Sequence, residues 1–467
     1  MAKRKKAKTV GELKASGYKP ESIREEMRRN LITMIKKKAD IFPGIIGYDD
    51  AVIPQIENAV ISGQDIIFLG ERGQAKSKIM RLLVNLLDEE TPVIKDCEIN
   101  DSPFSPICQQ CRNKMASEGD KTEIEWLPRQ ERYGEKLATP DITIADLIGD
   151  IDPIKVAEGR YLSDELTIHY GLIPRTNRGI FCINELPDLT ERLQVGLFNL
   201  MEESDVQIRG YRVRLPLDVL LVASANPEDY TNRGRIITPL KDRYGAQIRT
   251  HYPVNIEDEI SIVEMERRQF SGDGMEYYVP EYMKEIVAEV THLGRKSPDI
   301  NQRSGVSVRV SIANYETMLS NATRRAVLLG EKTAVPRISD LPYIHPSTSG
   351  KIELESVEDT QENKLIDDLI KKATLNVFNR YYRLHQLDGI VEQFSGGFSV
   401  EISENMGAKS YLRNVKEIIG LDEVLKTVND SAKPEAIASA MEFILEGLHV
   451  NKRLNKTRSN GKTVYQR

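Results

Sequence analysis

The stretch of sequence that decides the fold is DIIFLGERGQAKSKIMRLLVNLL, residues 65–87. It begins with a short apolar run that ends in glycine, which is typical of a buried parallel strand. A glycine-containing loop follows, and the apolar residues after it return at helical spacing. This order of elements predicts a phosphate-binding site, because the loop amides and the helix N-terminus both face the bound anion.

The loop matches the pattern G-x-x-x-x-G-K-[ST] at every fixed position but one and comprises Gly70, Glu71, Arg72, Gly73, Gln74, Ala75, Lys76 and Ser77, with Lys78 following in the helix. In this pattern the lysine neutralises the β- and γ-phosphates of a nucleotide and the hydroxyl lies on Mg²⁺. The departure is Ala75, where glycine is usual. If the position needs a positive φ, alanine costs about 1 kcal/mol or more. The motif predicts binding of ATP with Mg²⁺.

A second apolar run, GIFCINEL at 179–186, predicts another buried strand that ends in Asn184-Glu185. An ATPase of this type needs a carboxylate there for the metal and a second one to orient the attacking water. Glu185 can act as the base, whereas Asn184 can hold Mg²⁺ only through water and brings no negative charge. We expect weak metal binding and slow turnover, and a pocket that binds ATP without hydrolysing it remains an alternative.

The remaining pattern predicts an α/β fold with a parallel sheet covered on both faces, followed by helices. A third buried strand is expected within 213–227, and helices within 21–38, 188–202, 256–330, 360–388 and 410–450. Residues 92–135 are polar and suggest an insertion or long loop, residues 336–355 suggest a linker, and residues 396–403 suggest a short strand or turn.

With both motifs placed, residues 41–330 resemble the AAA+ clade that contains MoxR-type ATPases and the I subunit of magnesium chelatase. The resemblance implies a P-loop NTPase core with a helical lid, and it implies that Ile46 and Gly47 line the adenine pocket. It also implies that residues 144–170 form the helix-2 insert, a loop facing the central pore of a ring.

Three further roles follow from the resemblance. Asn226 would be the sensor that holds the attacking water, Arg243 the arginine finger offered to the neighbouring subunit, and Arg309 the lid sensor of the γ-phosphate. A finger acting in trans implies a homo-oligomer, expected to be a hexameric ring. Alternatives remain open: Asn226 as an ordinary turn residue, Arg243 paired with Asp242 or Glu228, and Arg303 or Arg324 in place of Arg309.

The expected organisation is a basic N-terminal arm and helix, a nucleotide-binding core, a helical lid, a C-terminal helical extension and a basic tail, at 1–40, 41–255, 256–335, 336–450 and 451–467. The first 40 residues carry 13 Lys/Arg against 5 Asp/Glu, and the last 17 carry 6 Lys/Arg and no acid. Such ends either grip an anionic partner such as nucleic acid or are solvated, disordered tails, and the second interpretation is favoured.

Four cysteines in 467 residues do not indicate a disulfide framework, and no apolar run approaches the length of a membrane span, so a cytoplasmic protein is expected. Cys97, Cys108 and Cys111 show only one C-x-x-C pair, which favours unbonded surface thiols over a structural zinc completed by Asp96, Glu98 or water. Cys182 is expected in the core.

The favoured function is a MoxR-like ATPase that remodels or activates a protein partner, often one carrying a von Willebrand A domain in the family. Alternatives are a nucleic-acid motor or transcription regulator, a chelatase subunit, and a nucleotide-gated scaffold that scarcely hydrolyses.

Overall fold

The structure is a computed structural model of the chain, and it describes all residues except 1–5, 153, 155–156, 158–164, 204, 208–213, 227–234, 272–273, 356–358, 430 and 460–461. The chain divides into two compact units, residues 1–251 and residues 252–467. Much of the helix-2 insert expected at 144–170, and the residues directly after Asn226, lie outside the described residues. Among the described residues, no helix is long and apolar enough to cross a membrane.

The strands of the first unit are β1 Ile66–Leu69, β2 Glu90–Ile94, β3 Ile124–Pro128, β4 Tyr133–Leu137, β5 Gly149–Ile151, β6 Ile168–Tyr170, β7 Gly179–Asn184, β8 Asp205–Gln207, β9 Arg214–Pro216, β10 Val219–Ala225 and β11 Ala246–Arg249. Five of them form a parallel sheet in the order β11, β1, β10, β7, β4. Apolar side chains cover both faces of this sheet, so its central strands are mainly apolar, with the polar residues Ser224 and Asn184 near their carboxyl ends. The predicted α/β fold with a parallel sheet is confirmed.

The helices of the first unit are α1 Val10–Ala15, α2 Ile23–Lys36, α3 Val52–Ile61, α4 Lys76–Leu82, α5 Gln109–Glu118, α6 Ile144–Leu147, α7 Leu172–Arg175, α8 Glu191–Gly196, α9 Phe198–Glu203 and α10 Thr238–Arg243. Helix α2 starts at a capping box formed by Ser22 and Glu25. Its apolar face packs into the core beneath β1 and β10. Glu26 on the same helix forms a buried, two-pronged ion pair with Arg132. The N-terminal helix is therefore part of the first unit's core.

The expectation of a long loop at 92–135 is wrong. This segment holds most of the antiparallel pair β2–β3, helix α5 and the first residues of β4, which is the edge strand of the main sheet. Its polar composition misled the sequence interpretation, because most residues of β3 and β4 are only half-buried and neither strand is a continuous buried apolar run. As a result, β4 lies directly beside β7, the strand that ends in Asn184.

The second unit is mainly helical, with helices α11 Ile256–Glu266, α12 Glu281–Lys296, α13 Val308–Leu329, α14 His345–Thr348, α15 Asp359–Tyr381, α16 Asp388–Ser395, α17 Ala408–Glu417, α18 Leu421–Leu425 and α19 Pro434–Val450. Its strands are β12 Glu276–Tyr277, β13 Thr333–Ala334, β14 Val400–Ser403, β15 Asn455–Ser459 and β16 Lys462–Gln466. The linker expected at 336–355 is wrong, because Ile338, Leu341 and Ile344 are buried in the unit's core. Apolar spacing within a short 3₁₀ helix holds this Pro-rich segment in place.

The basic tail expected at 451–467 is folded. Strand β16 pairs with β14 and β15 in an antiparallel sheet. Four of the six basic side chains pair with carboxylates, in the pairs Arg453–Asp388, Lys456–Glu446, Arg458–Glu404 and Lys462–Glu401. Most of the tail's positive charge is thus balanced locally.

Candidate nucleotide and metal site

The loop between β1 and α4 is closed tightly on itself. A side chain at Gly70 would bring its Cβ to 2.1 Å from Gln74 Oε1 and from Thr250 Oγ1, so a larger residue there would require both side chains to move. Thr250 Oγ1 donates to Gln74 Oε1 at 2.6 Å. Gly73 and Ala75 both have positive φ, 76° and 57°. Left-handed residues set into a turn direct backbone N–H groups to one side, which makes a cradle for an anion.

Ala75 stands in the left-handed conformation directly before α4, with φ 57° and ψ 11°. The conditional expectation for this position is therefore resolved: the position requires a positive φ, and alanine is strained there by about 1 kcal/mol. Contacts with the surrounding residues hold the loop in this strained conformation.

Lys76 is buried and its ammonium group donates to the carbonyl oxygens of Gly70 and Glu71, the latter at 2.7 Å. It also donates to Asn226 Oδ1 at 2.8 Å. Asn226 follows the last residue of β10, 150 residues away in the chain, and is itself buried. The parallel sheet therefore brings the lysine and the predicted sensor into direct contact.

Ser77 lies next to Asn184 at the end of β7, and its hydroxyl donates to Asn184 Oδ1 at 3.3 Å. The amide Nδ2 of Asn184 donates to Glu135 Oε1 on β4 at 2.5 Å, and Ser224 Oγ donates to Asn184 Oδ1 at 3.2 Å. Because Glu135 accepts from the amide nitrogen, the amide oxygen of Asn184 faces the serine. Arg81 Nε and Nη2 donate to the two oxygens of Glu135 at 2.8 and 2.9 Å.

Glu135 is the site residue that sequence reasoning missed. Hydrogen bonds and charge from Arg81 lower the pKa of Glu135 below its ordinary 4.5, against an opposing effect of burial, so the carboxylate is ionised at neutral pH. A negative charge thus stands beside Asn184, where the sequence lacked one. Little in the local sequence indicates that Glu135 is a site residue, because it belongs to a polar segment interpreted as an insertion.

Glu185 also departs from ordinary backbone geometry, with φ 57° and ψ 49°. Its N–H donates to Ser224 Oγ at 3.2 Å, and its side chain is half-buried. A non-glycine residue in this conformation costs on the order of 1–3 kcal/mol and is held there by its surroundings. Such residues concentrate at functional sites.

The segment predicted for the adenine side packs against the loop. Ile46 and Gly47 precede Tyr48, whose hydroxyl lies 3.0 and 2.8 Å from the carbonyl oxygens of Gln74 and His251 and shares its one hydrogen between them. Burial raises the pKa of Tyr48 to about 12, so it remains a donor. Lys78 Nζ donates to Gly44 O at 3.1 Å. These contacts join the 44–48 segment to the second half of the phosphate loop and to the start of α4.

Arg243, the predicted finger, is held within its own chain at the end of α10. It donates to Pro239 O at 2.7 Å, pairs with Glu202 at 2.6 Å and stacks on the Phe198 ring at 4.3 Å. The carboxylate partner is Glu202, whereas the alternatives considered from sequence were Asp242 and Glu228, the latter outside the described residues.

Arg309, the predicted lid sensor, lies in the second unit and in the first turn of α13, with an exposed side chain. Of its two alternatives, Arg303 is exposed as well, while Arg324 stacks on Tyr343 at 5.6 Å.

The side chains present fit a nucleotide with Mg²⁺. The phosphates require a cradle of backbone N–H groups with a lysine, and the loop supplies both. A hard divalent cation requires oxygen ligands, and Ser77 and Asn184 place a hydroxyl and an amide oxygen 3.3 Å apart, with the Glu135 carboxylate hydrogen-bonded to the other side of the Asn184 amide.

Comparison with known proteins agrees with this arrangement. No protein-family model matches the chain. It is 26% identical over 281 residues to the magnesium-chelatase subunit ChlI of Nostoc sp., a match that covers 58% of this chain and 70% of that protein. It is 28% identical over 337 residues to the chloroplastic ChlI of Oryza sativa subsp. indica, covering 66% and 74%.

Among solved structures, a model of the complex between BchI and BchD of magnesium chelatase matches 69% of this chain and 98% of that one, with 19% identity and a TM-score of 0.36. That score is low, so the assignment depends on the sequence relatives and on the observed sheet with its phosphate loop. The chain is a homologue of the magnesium-chelatase I subunits and has the α/β fold of the AAA+ group.

Proposed function

We propose that the chain is an ATP-binding and ATP-hydrolysing AAA+ ring motor that remodels or activates a protein partner. The observation that carries the proposal is the meeting of Lys76, Ser77, Asn184 and Asn226 at the carboxyl ends of β1, β7 and β10. Ligands of parallel α/β sheets bind outside this edge.

Nucleotide binding requires that negative phosphates replace the present partners of Lys76. The ammonium group donates to two loop carbonyls and to the Asn226 amide oxygen, and these three acceptors are neutral. A phosphate oxygen is a stronger acceptor, because a hydrogen bond between two charged groups is about twice as strong as a neutral one. Lys76 would therefore turn to the phosphates and release Asn226.

The released Asn226 would then be available to hold the attacking water, which is the role the family resemblance implies for it. Glu185 would take the proton of that water, since its carboxylate follows β7 and its backbone is held in place by Ser224. A positioned general base contributes about 10²- to 10⁴-fold to a rate.

The metal would be held by Ser77 directly and by Asn184 through water, with Glu135 supplying the negative charge that Asn184 lacks. Bound there, Mg²⁺ would neutralise charge on the transferred phosphoryl group. Glu135 acts together with Asn184, since their hydrogen bond sets the direction of the amide. This arrangement favours hydrolysis over the scaffold alternative.

A hexameric ring remains part of the proposal, with Arg243 as the finger and Arg309 as the lid sensor. For Arg243 to reach a neighbouring subunit it must leave Glu202, whose side chain is more than half exposed. Arg243 itself is only 22% exposed, donates to Pro239 O and stacks on Phe198, so contacts with the neighbouring subunit must replace these interactions as well as the ion pair. The client, either a protein substrate or a von Willebrand A partner, and the cytoplasmic location remain proposals from the family resemblance.

The test compares ATP hydrolysis and ATP binding by the wild type, Glu185→Gln and the matched control Glu191→Gln, an exposed residue of α8. We expect Glu185→Gln to lose about 100-fold or more in rate while ATP affinity is kept. Glu191→Gln should hydrolyse at the wild-type rate. Equal rates for all three proteins would contradict the proposed base.

A scaffold is the second candidate, because Asn184 brings no charge to the metal. A wild type that binds ATP and assembles without measurable hydrolysis would support it. A nucleic-acid motor has less support, since four basic residues of the C-terminal segment already pair with carboxylates. A pull-down with Glu185→Gln in ATP would identify the client.

A further inference from the structure

A second group of ligand-type side chains lies in the first unit, between β2 and α5. One ligand atom from each of Cys97, Asp101, Cys108 and Cys111 lies within 4.8 Å of all the others. Asp101, Cys108 and Cys111 are buried, and Cys97 is half-buried. The expectation of surface thiols is therefore wrong, and the nearby acid is Asp101, in place of the Asp96 or Glu98 considered from sequence.

The backbone around Cys97 forms a tight turn that brings Cys97 and Asp101 together. Ile94 N–H donates to Asp101 O at 3.1 Å, and Cys97 N–H donates to Ile94 O at 3.3 Å. Inside this turn Asp96 and Asn100 have positive φ, 63° and 53°. Two non-glycine residues in the left-handed region within five positions indicate a turn whose shape is imposed by its function or its packing.

Backbone N–H groups are directed at two of the sulfurs. Asp101 N–H donates to Cys97 Sγ at 3.3 Å, and Cys111 N–H donates to Cys108 Sγ at 3.3 Å. Cys108 is also the N-cap of α5, so its sulfur stands at the positive end of the helix. Such contacts stabilise negative charge on sulfur, which a metal-bound thiolate carries.

Asp101 provides the independent indication that a cation belongs here. The side chain has no exposed surface, and its Oδ2 accepts from Ile107 N–H and Cys108 N–H at 3.1 and 2.9 Å. The other oxygen, Oδ1, is buried and has no hydrogen-bond partner among the described residues. A buried carboxylate oxygen without a partner is costly unless a cation or donor satisfies it.

We propose that Cys97, Asp101, Cys108 and Cys111 bind one structural Zn²⁺. Three sulfurs and one carboxylate oxygen make four ligands, the number that a closed tetrahedral zinc site uses. With Zn–S bonds of about 2.3 Å, neighbouring sulfurs lie about 3.8 Å apart, so ligand atoms within 4.8 Å need only a small contraction. Thiolates exclude Mg²⁺ and Ca²⁺, and iron–sulfur clusters are held mainly by four cysteines.

The zinc would join the turn after β2 to the start of α5, elements that otherwise meet through the hydrogen bonds of Asp101 to Ile107 and Cys108 and through apolar packing around Ile94, Ile99 and Met115. All four positions are filled by the protein, so the ion has a structural role. The site is separate from the proposed ATP site in its residues, and its test does not depend on ATP hydrolysis.

The first experiment measures zinc in the full-length protein, purified from zinc-supplemented cells, by elemental analysis. We expect about one zinc per chain in the wild type and in Cys182→Ala, and at least a tenfold lower content in Cys108→Ala. Both substitutions remove one buried sulfur, and Cys182 lies in β7 outside the group. Equal zinc contents in the two variants, or none in the wild type after incubation with Zn²⁺, would overturn the proposal.

The second experiment keeps the test decisive if Cys108→Ala does not fold. Wild type stripped of metal and reloaded with Co²⁺ should show the intense visible absorption of tetrahedral cobalt bound by thiolates, and Asp101→Asn should weaken cobalt affinity by about tenfold or more. After metal removal, four thiols should react in denaturant. A spectrum without thiolate absorption, or a disulfide among Cys97, Cys108 and Cys111, would sink the zinc site.

Discussion

The two groups of ligand-type side chains in the first unit differ in how complete they are. At the sheet edge, Lys76 contacts Asn226, and Ser77, Asn184, Glu135 and Arg81 form a continuous chain of hydrogen bonds. In the cysteine group, a buried oxygen of Asp101 lacks a partner in the described part of the chain. The first group can exist with and without its ligand, as a site that exchanges nucleotide must, whereas the second needs a permanent cation.

The two regions share left-handed backbone at non-glycine residues. In the nucleotide region these residues are Ala75 and Glu185, and in the cysteine region they are Asp96 and Asn100. In both regions the strained backbone directs polar groups to a common point, and the surrounding packing maintains the strained conformation. The difference is that the strained residues at the sheet edge include a proposed catalytic group, while those near the cysteines only shape a turn.

The largest expected effect comes from Lys76→Ala, which should impair the nucleotide site and leave the cysteine group unchanged. Loss of a buried ammonium that donates to phosphates removes about 3 kcal/mol, so nucleotide affinity should fall about 100-fold or more. Zinc content should stay at the wild-type level. Calorimetric titration with ATP and elemental analysis on the same preparation check this, with Lys36→Ala, an exposed residue of α2, as control. Unchanged ATP affinity in Lys76→Ala would contradict the assigned site.

The next effect concerns the charge beside Asn184. Glu135→Gln keeps the size of the side chain and removes its charge, so the Mg²⁺ concentration for half-maximal ATP hydrolysis should rise about tenfold. The control is Glu125→Gln on the exposed side of β3. An unchanged Mg²⁺ requirement would show that Asn184 holds the metal without help from β4.

A smaller effect tests the strained loop. Ala75→Gly relieves a positive φ and should stabilise the protein by about 1 kcal/mol. Ala116→Gly, the same substitution in exposed α5, should destabilise it by about as much, because glycine is a poor helix former. Chemical denaturation of both variants measures the difference, and the same sign for both would argue against the left-handed conformation at Ala75.

The smallest effect is a pH dependence of the Arg81–Glu135 pair. Arg81 lowers the folded-state pKa of Glu135 below 4.5, so the pair stabilises the fold above that pH and loses its contribution as pH falls through the lower folded-state pKa. Arg81 is largely exposed, so the contribution is below about 1 kcal/mol. The difference in unfolding free energy between the wild type and Glu135→Gln should stay constant from pH 8 to about 5 and then shrink. A difference that grows on acidification would refute the assignment.

Local pattern predicted the elements that bear the nucleotide motifs. The strands at 66–69 and 179–184 were expected within a residue of their observed bounds. The helix expected over 76–87 begins at Lys76, but its α-helical part ends at Leu82 and a 3₁₀ helix follows over Leu83–Leu86. Each of these elements is an unbroken apolar run or a helical repeat next to a glycine. A pattern of this kind can be recognised within a window of about ten residues. The helix expected at 188–202 is broken into α8 and α9 after a short 3₁₀ turn.

Prediction failed where polar segments are held by distant partners. β4 was missed because an edge strand with half-buried polar residues has no apolar period, and 451–467 was missed because its pairing partner is β14, some sixty residues earlier. Segment 336–355 was taken for a linker because its prolines and serines outweighed three buried isoleucine and leucine positions.

The sequence by itself determined that a phosphate loop stands between a buried strand and a helix, and that Asn184 and Glu185 stand at the end of a second buried strand, because these are local patterns. The tertiary structure alone decided that Ala75 needs a positive φ, that Glu135 meets Asn184 from 49 positions away, and that Asp101 joins three cysteines. Those facts depend on strand order, register and turn geometry. No local period in the chain encodes them.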